Sequence, residues 1–358
     1  MKANDYLQYR NSTFAFIDLL VKLSQEGEMV MSRGGNTKEI TSVSISVSNP
    51  IERVLILPYR NNNIFATIAE TLWVMSGRND IEFLSFYLPR AFEFSDDGKV
   101  WRAGYGPRMR NWHDQVDQLA QVYELLRADP YTRRAVLSLF DPISDFLPSK
   151  DIPCNNWLNF IVRDNNLNLN IAIRSNDLFW GFSGINTFEW SFLQEALAFW
   201  LGTQIGKTSF FVGSLHYYER HFASAEKIIS AREFKSVYDY GFSSPKFSTC
   251  FQDFDNELTK LFQIEELMRK GKISSNIKEF EAISDPLLEV FGQMLWVYSL
   301  YIRGESMSII TRHIENIPES DLKLAGIEFF LRKYKNLDWI SLSQDEKDFL
   351  SQFVGLED

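Results

Sequence analysis

Trp157-Leu158-Asn159-Phe160-Ile161-Val162-Arg163-Asp164-Asn165-Asn166-Leu167-Asn168-Leu169-Asn170-Ile171-Ala172-Ile173-Arg174 reads as two strands around a turn. Strand formers fill both arms, and Asp164-Asn165-Asn166 has turn chemistry. In the second arm Leu167, Leu169, Ile171 and Ile173 fall on one side, with Asn168, Asn170, Ala172 and Arg174 on the other. That period of two marks a strand with one buried face. Arg174 therefore ends the hairpin on the face opposite its core residues.

Working outward, Ala-Val-Leu-Ser-Leu-Phe after Arg133-Arg134 reads as a further strand, and residues 208–212 as another. Asn186 with Glu189 three residues on has the shape of a helix N-cap, and the aromatic-rich run behind it stops at Gly202, which predicts a buried helix over 187–201. Ile64, Phe65, Ile68, Leu72 and Met75 repeat at helical spacing before Gly77 and predict an amphipathic helix over 64–76, with Glu70 off the apolar stripe. After about residue 223 the pattern turns to helices with charged faces, such as 257–270 and 285–303. Antiparallel strands with segregated helices imply an α+β architecture.

Composition narrows the function. The 358 residues carry 37 Lys and Arg against 47 Asp and Glu, a formal charge of −10. No basic face accumulates, which argues against nucleic acid as a partner and leaves any anionic ligand to a local arginine cluster. The apolar run 287–302 is broken by Glu289, Gly292 and Gln293 and is too short for a membrane span, so it reads as a buried helix and no membrane is expected. Cys154 and Cys250 stand outside any CxxC or Cys/His cluster, so neither a disulfide scaffold nor a metal site is expected. The stretch from Met1 to Asp18 has no apolar run of signal-peptide length, and the expected location is cytoplasmic.

Few residues are placed to do chemistry. Cys154, in Ile152-Pro153-Cys154-Asn155-Asn156, sits at a loop-to-strand junction where a thiol can face a cavity, although a free cysteine also serves as a small core hydrophobe. A reactive thiolate needs electropositive company. Arg133 and Arg134, adjacent at a strand start, would point to opposite faces, and Arg174-Ser175 offers a planar fork and a hydroxyl suited to phosphate. His216 and Tyr218, two apart in an extended stretch, share a face and offer two hydrogen-bond groups to one ligand edge; a satisfied core histidine is the competing possibility. Asn186 can read a base edge or simply cap its helix, and Glu70 can be a solvated residue.

Taken in order, the pieces resemble the thymidylate synthase family. Glu70-Thr71-Leu72-Trp73 with Gly77 and Asn79, Gly104-Tyr105-Gly106, Asp129-Pro130 with Arg133-Arg134, Pro153-Cys154, Arg174-Ser175-Asn176-Asp177 with Gly181 and Asn186, and Gly213 with His216-Tyr217-Tyr218 and His221 follow the family's sequence of motifs over residues 30–225. The resemblance implies a mixed sheet packed with helices, homodimeric through the sheet. Residues 1–225 would form the catalytic domain and residues 226–358 a helical C-terminal extension of unknown role.

It also implies roles. Cys154 would add to C6 of a pyrimidine nucleoside monophosphate, dUMP first among them, so that C5 attacks the one-carbon unit of 5,10-methylenetetrahydrofolate. Arg174 and Ser175 would hold the 5′-phosphate, joined by Arg133 and Arg134 from the other subunit, with Arg33 as an N-terminal phosphate arginine and Asp177 part of the nucleotide site. His216 and Tyr218 would meet the sugar hydroxyl, Asn186 the base, and Glu70 and Tyr105 the proton transfers.

The departures fall mostly on the folate side. Asn155 and Asn159 stand where the family has histidine and glutamine, Ser214 where it has aspartate, and one residue is inserted between Asp177 and Asn186. The stretch 90–94, where folate-flanking tryptophans are expected, has none. These changes make a (d)UMP or (d)CMP 5-hydroxymethylase, in which water replaces hydride, the rival of a methylating enzyme. Two more distant readings stand beside these: a non-catalytic nucleotide-binding protein on the same fold, and a cysteine hydrolase pairing Cys154 with His216.

Overall fold

The computed structural model of the chain describes residues 6–231, 233–273 and 277–356. Residues 1–5, which open the stretch read for a signal peptide, lie outside the described residues. Two compact units emerge: residues 1–53 with 70–230, and residues 54–69 with 231–358.

The first unit is built on one mixed sheet. Its elements are β1 (Tyr6–Tyr9), α1 (Ser12–Glu26), β2 (Glu28–Ser32), β3 (Gly35–Val47), the later turns of α2 (Ile64–Met75), α3 (Ile81–Tyr87), α4 (Tyr105–Arg110), α5 (Gln118–Ala128), β4 (Val136–Ser138), β5 (Asn155–Arg163), β6 (Asn166–Ile173), β7 (Asn176–Asp177), α6 (Thr187–Leu201), β8 (Gln204–Tyr218) and α7 (Phe222–Ala231). The strand order is β1-β3-β8-β6-β5-β4, with β2 on β3 and β7 on β8. The α+β class read from the sequence is therefore what the chain adopts.

The β5–β6 hairpin forms as expected. Asp164 and Asn165 both take positive φ, at 50° and 60°, the backbone of a two-residue turn whose twist matches its strands. Leu167, Leu169, Ile171 and Ile173 are all buried. One irregularity matters: the β5–β6 register slips between Asn155 and Trp157. Alternation traced back from buried Leu158 would turn 156 and 154 toward the core, but the extra residue reverses the parity. Asn155 is buried instead, and Cys154 is half-buried at the edge of the site. A bulge that redirects a side chain is typical beside active sites.

Helix α6 also forms over its expected span and is buried on all sides along Thr187–Ala198. Its start differs from expectation. Residues Leu178–Asn186 form a π-helical turn that runs straight into α6, and Asn186 has helical angles, φ −66° and ψ −38°, with no side-chain cap bond. The π turn runs into α6 without a break, the Thr187 N–H reaching back to the Phe182 carbonyl, so Asn186 lies inside continuous helix rather than at a free end that it could cap. The wide turn absorbs an extra residue in the way π-bulges do.

In the second unit are the first turns of α2, then α8 (Phe251–Arg269), α9 (Pro286–Ile302), α10 (Met307–Asn316), α11 (Asp321–Tyr334) and α12 (Gln344–Leu350). Helix α9 is the buried helix read at 287–302, with Asp285 capping its first turn. Phe65 packs here against Tyr298, Phe329 and Phe330. No helix among the described residues is long and apolar enough to cross a membrane.

Candidate active site

Cys154 lies at the mouth of β5 with Arg174, the residue that follows β6. The Arg174 Nη2 is 3.6 Å from the Cys154 Sγ. That guanidinium is fixed by donating to the Pro153 carbonyl at 3.0 Å and the Ile152 carbonyl at 2.7 Å. Burial pushes the Cys154 thiol up to about 11; Arg174 opposes the rise, while Asp151 and Asp177 add to it. The arginine thus sets the thiol's charge balance as well as offering a fork to an anion.

Around this pair the first unit gathers most of the residues singled out above. Arg33, in the β2–β3 turn, donates to the Lys150 carbonyl at 2.7 Å. A Cβ on the neighbouring Gly34 would lie 2.9 Å from the Tyr218 hydroxyl, so that turn is pressed onto the phenol. His216 and Tyr218 do share a face of β8, their rings 5.3 Å apart and edge-on. Asp177 pairs with His216 across β7 and β8, and its carboxylate accepts from the Phe179 N–H. Burial pushes the His216 imidazole down and Asp177 opposes it. Ser175 is half-buried between Arg174 and Asn176.

The Asn176 and Asn186 side chains both stand near Gly181: a Cβ on that glycine would collide with the Asn176 Oδ1 and lie 3.5 Å from the Asn186 Oδ1. Asn176 is buried, and among the described residues neither its Oδ1 nor its Nδ2 has a partner.

On the other side stands a buried polar group. Asn155 donates from Nδ2 to the Tyr105 hydroxyl at 2.7 Å and from its backbone N–H at 3.2 Å, while its Oδ1 accepts from the Trp190 Nε1 at 3.3 Å. Burial, with the Cys154 thiolate next, holds the Tyr105 phenol well above its usual value. Glu70 is 8% exposed, not the solvated residue that was the simpler expectation. Burial and the Asp151 charge push its carboxyl up to about 8.

Arg133 and Arg134 are not brought to this cluster. Both precede the edge strand β4 rather than starting it, both are exposed, and neither side chain has a partner among the described residues. They do not alternate faces at the start of a strand as read from the sequence, because β4 begins only at Val136. Nor does a hydrogen bond join Cys154 to His216 among the described residues; the His216 Nδ1 faces the Ser214 Oγ at 3.3 Å.

Sequence reasoning passed over three residues here. Glu189 entered only as a capping partner, yet it is fully buried; an acidic residue inside a helix that is apolar on every side was the available signal. Arg220 pairs with Asp177 at 3.5 Å and stacks 4.1 Å over the Tyr218 ring. Trp101 stacks on Phe94 at 5.2 Å and 9° and donates from Nε1 to Asp151, so a tryptophan from outside 90–94 stands against the last residue of that stretch.

The family model for thymidylate synthase matches residues 14–277, most of the chain. The chain belongs to the thymidylate synthase family. It is 41% identical over 217 residues to the deoxyuridylate hydroxymethyltransferase of Bacillus phage SP01, a match spanning 58% of this chain and 57% of that protein. It is 30% identical over 329 residues to the deoxyuridylate hydroxymethyltransferase of Delftia phage PhiW-14, spanning 86% of this chain and 91% of the relative. A protein of the same name from Pseudomonas phage M6 is 28% identical over 342 residues, 91% of this chain and 94% of the relative. Membership in the thymidylate synthase family bears out the ordered motifs and supports a pyrimidine-nucleotide methyl- or hydroxymethyltransferase. A nucleotide substrate and methylenetetrahydrofolate as one-carbon source are general properties of thymidylate synthases.

Proposed function

We propose that this chain is a deoxyuridylate 5-hydroxymethyltransferase working through a covalent Cys154 adduct. The observation that carries the reading is the Arg174 guanidinium held 3.6 Å from the Cys154 Sγ, a nucleophile beside an anion fork. Hydroxymethyl rather than methyl transfer rests on the three phage relatives, each named for it.

In this reading the Cys154 sulfur bonds to C6 and the ring electrons move to C5. Arg174, Ser175 and Arg33 hold the 5′-phosphate, Asp177, His216 and Tyr218 the sugar side, and Asn186 the base edge. Glu70 and Tyr105 move protons at the ring oxygen and C5. When bound, methylenetetrahydrofolate supplies the carbon that C5 attacks. The stacked Phe94–Trp101 face beside Asp151 fits a flat heteroaromatic ring of that kind. Arg133 and Arg134, exposed and unpaired in the single chain, are suited to reach the phosphate of a second copy in a homodimer formed through the sheet. Residues 1–225 then form the catalytic part and 226–358 a helical extension.

The same Phe94–Trp101 face favours a second reading, thymidylate formation, because a closed aromatic wall excludes water. Mass spectrometry of the nucleotide after incubation with dUMP or dCMP and methylenetetrahydrofolate separates them. A hydroxymethylated uracil supports the proposal, a methylated one the second reading, and an unchanged dUMP that still binds overturns both.

A further inference from the structure

Glu189 is a carboxyl with no explanation in the reactions assigned so far. It is the third residue of α6, fully buried, and among the described residues neither Oε1 nor Oε2 has a partner. The Glu70 charge, from α2, bears on Glu189, and the Glu70 Oε2 is likewise buried without a partner among the described residues. Three carboxyl oxygens of this coupled, buried pair are therefore left without a donor. Buried polar atoms are rarely left unpaired, and one water with several polar partners is the usual remedy. Burial, with the charge of each neighbour, raises both Glu70 and Glu189, so the pair holds a proton between its carboxyls and its other oxygens are left as acceptors for a donor.

Other groups of the site bear on this pair through their charges. Cys154 and Glu189 both act on Tyr105, and Asp151 acts on Glu70 and is itself acted on by Arg174 and Arg33. The Tyr105 hydroxyl accepts from two Asn155 donors, and Asn155 also takes the Trp190 N–H, which ties the residue after the nucleophile to the residue after Glu189. The carboxyl pair is thus fixed to the same frame as the thiol.

We propose that Glu189, paired with Glu70, holds and deprotonates the water that becomes the hydroxyl of the product. This rests on the hydroxymethyltransferase reading. A water that donates both hydrogens to the two carboxyls turns its oxygen lone pairs toward the exocyclic carbon on C5. The O–C bond forms, one water proton passes to the carboxylate pair, the exocyclic double-bond electrons return to C5=C6, and the C6–S bond breaks to release the Cys154 thiolate. No oxidant or reductant is consumed. Sharing one proton lets the pair accept that proton without placing two charges side by side.

The test uses the full-length enzyme and [5-³H]dUMP. Loss of tritium reports the step before water enters; the hydroxymethylated nucleotide reports water addition. In Glu189→Gln the product formed per tritium released should fall by roughly a hundredfold, the scale of a lost general base, with tritium release itself changed less than about threefold. Glu189→Asp should recover part of the product yield, and Glu189→Ser serves if the Gln variant does not fold. A readout without folate is the infrared band of a protonated buried carboxyl, which Glu189→Gln should remove or shift. Normal product per tritium in Glu189→Gln, or an unchanged carboxyl band, overturns the role of Glu189 alone. A wild-type enzyme that releases tritium and yields only methylated nucleotide overturns the hydroxymethyl reading and this role together.

Discussion

Asn155 grips Tyr105 with two donors, Nδ2 at 2.7 Å and its own backbone N–H at 3.2 Å. Both contacts end on the phenol oxygen as acceptor, which leaves the Tyr105 proton free to be donated elsewhere. The bulge after Cys154 makes this possible, because it turns Asn155 inward. Asn155→Ala would orphan the buried Trp190 N–H and take the shorter of its two donors from the Tyr105 hydroxyl, which keeps the backbone N–H. It should lose about 1–3 kcal/mol, the scale of one buried group left unpaired, with an unchanged m-value in urea unfolding. Its turnover should fall further than its nucleotide affinity.

The thiol itself can be titrated. With Cys154 pushed up to about 11, alkylation of the free enzyme should be slow at neutral pH and climb steadily toward pH 10. Removing the opposing charge in Arg174→Gln should shift the whole profile to higher pH. A profile that levels off near pH 7 in the wild type contradicts the burial of the thiol.

Cys154→Ser keeps the shape of the nucleotide pocket and removes the sulfur nucleophile. Calorimetry should find dUMP bound within a few-fold of wild type while turnover disappears. Normal turnover in this variant is incompatible with a covalent adduct.

Glu70 makes stability depend on pH in a direction opposite to the usual carboxylate. Its folded value, about 8, lies above its ordinary 4.5, so the folded chain holds the proton more tightly than the unfolded one. Its contribution is fully present below about pH 4.5 and declines as pH rises toward 8. The loss is at most about 1.4 kcal/mol per pH unit. Glu70→Gln has no proton to lose and should melt higher than wild type at pH 8 but not at pH 5.

Gly181→Ala should be poorly tolerated, since its Cβ would run into the Asn176 Oδ1. The Asn176 amide must move aside, and weaker dUMP binding with a lowered melting temperature is the expected result.

Local rules made much of this chain readable. The hairpin announced itself through leucine alternation and an Asp-Asn turn, and α6 and α9 through apolar runs with clear ends. Cys154 and Arg174 were visible because one precedes and the other closes the same hairpin. What stayed hidden depends on shifts of a single residue. The slip at Asn155 and the π turn at Leu178–Asn186 leave no mark in periodicity, yet they decide whether Asn155, Asn186 and Cys154 face the core or the site. Glu189 was passed over for another reason: a glutamate three residues after an asparagine normally completes a cap, and that local reading outweighed the signal of an acid inside a buried helix.

Residues 54–69 tie the chain's middle to its end. They interrupt the first unit in the chain, yet Phe65 belongs with Tyr298, Phe329 and Phe330, and the Val54 N–H is taken by the Tyr238 hydroxyl. A chain cut after residue 230 would therefore carry an uncovered apolar segment in its own middle, and a stand-alone first unit would need polar replacements far upstream of the cut, between 54 and 69.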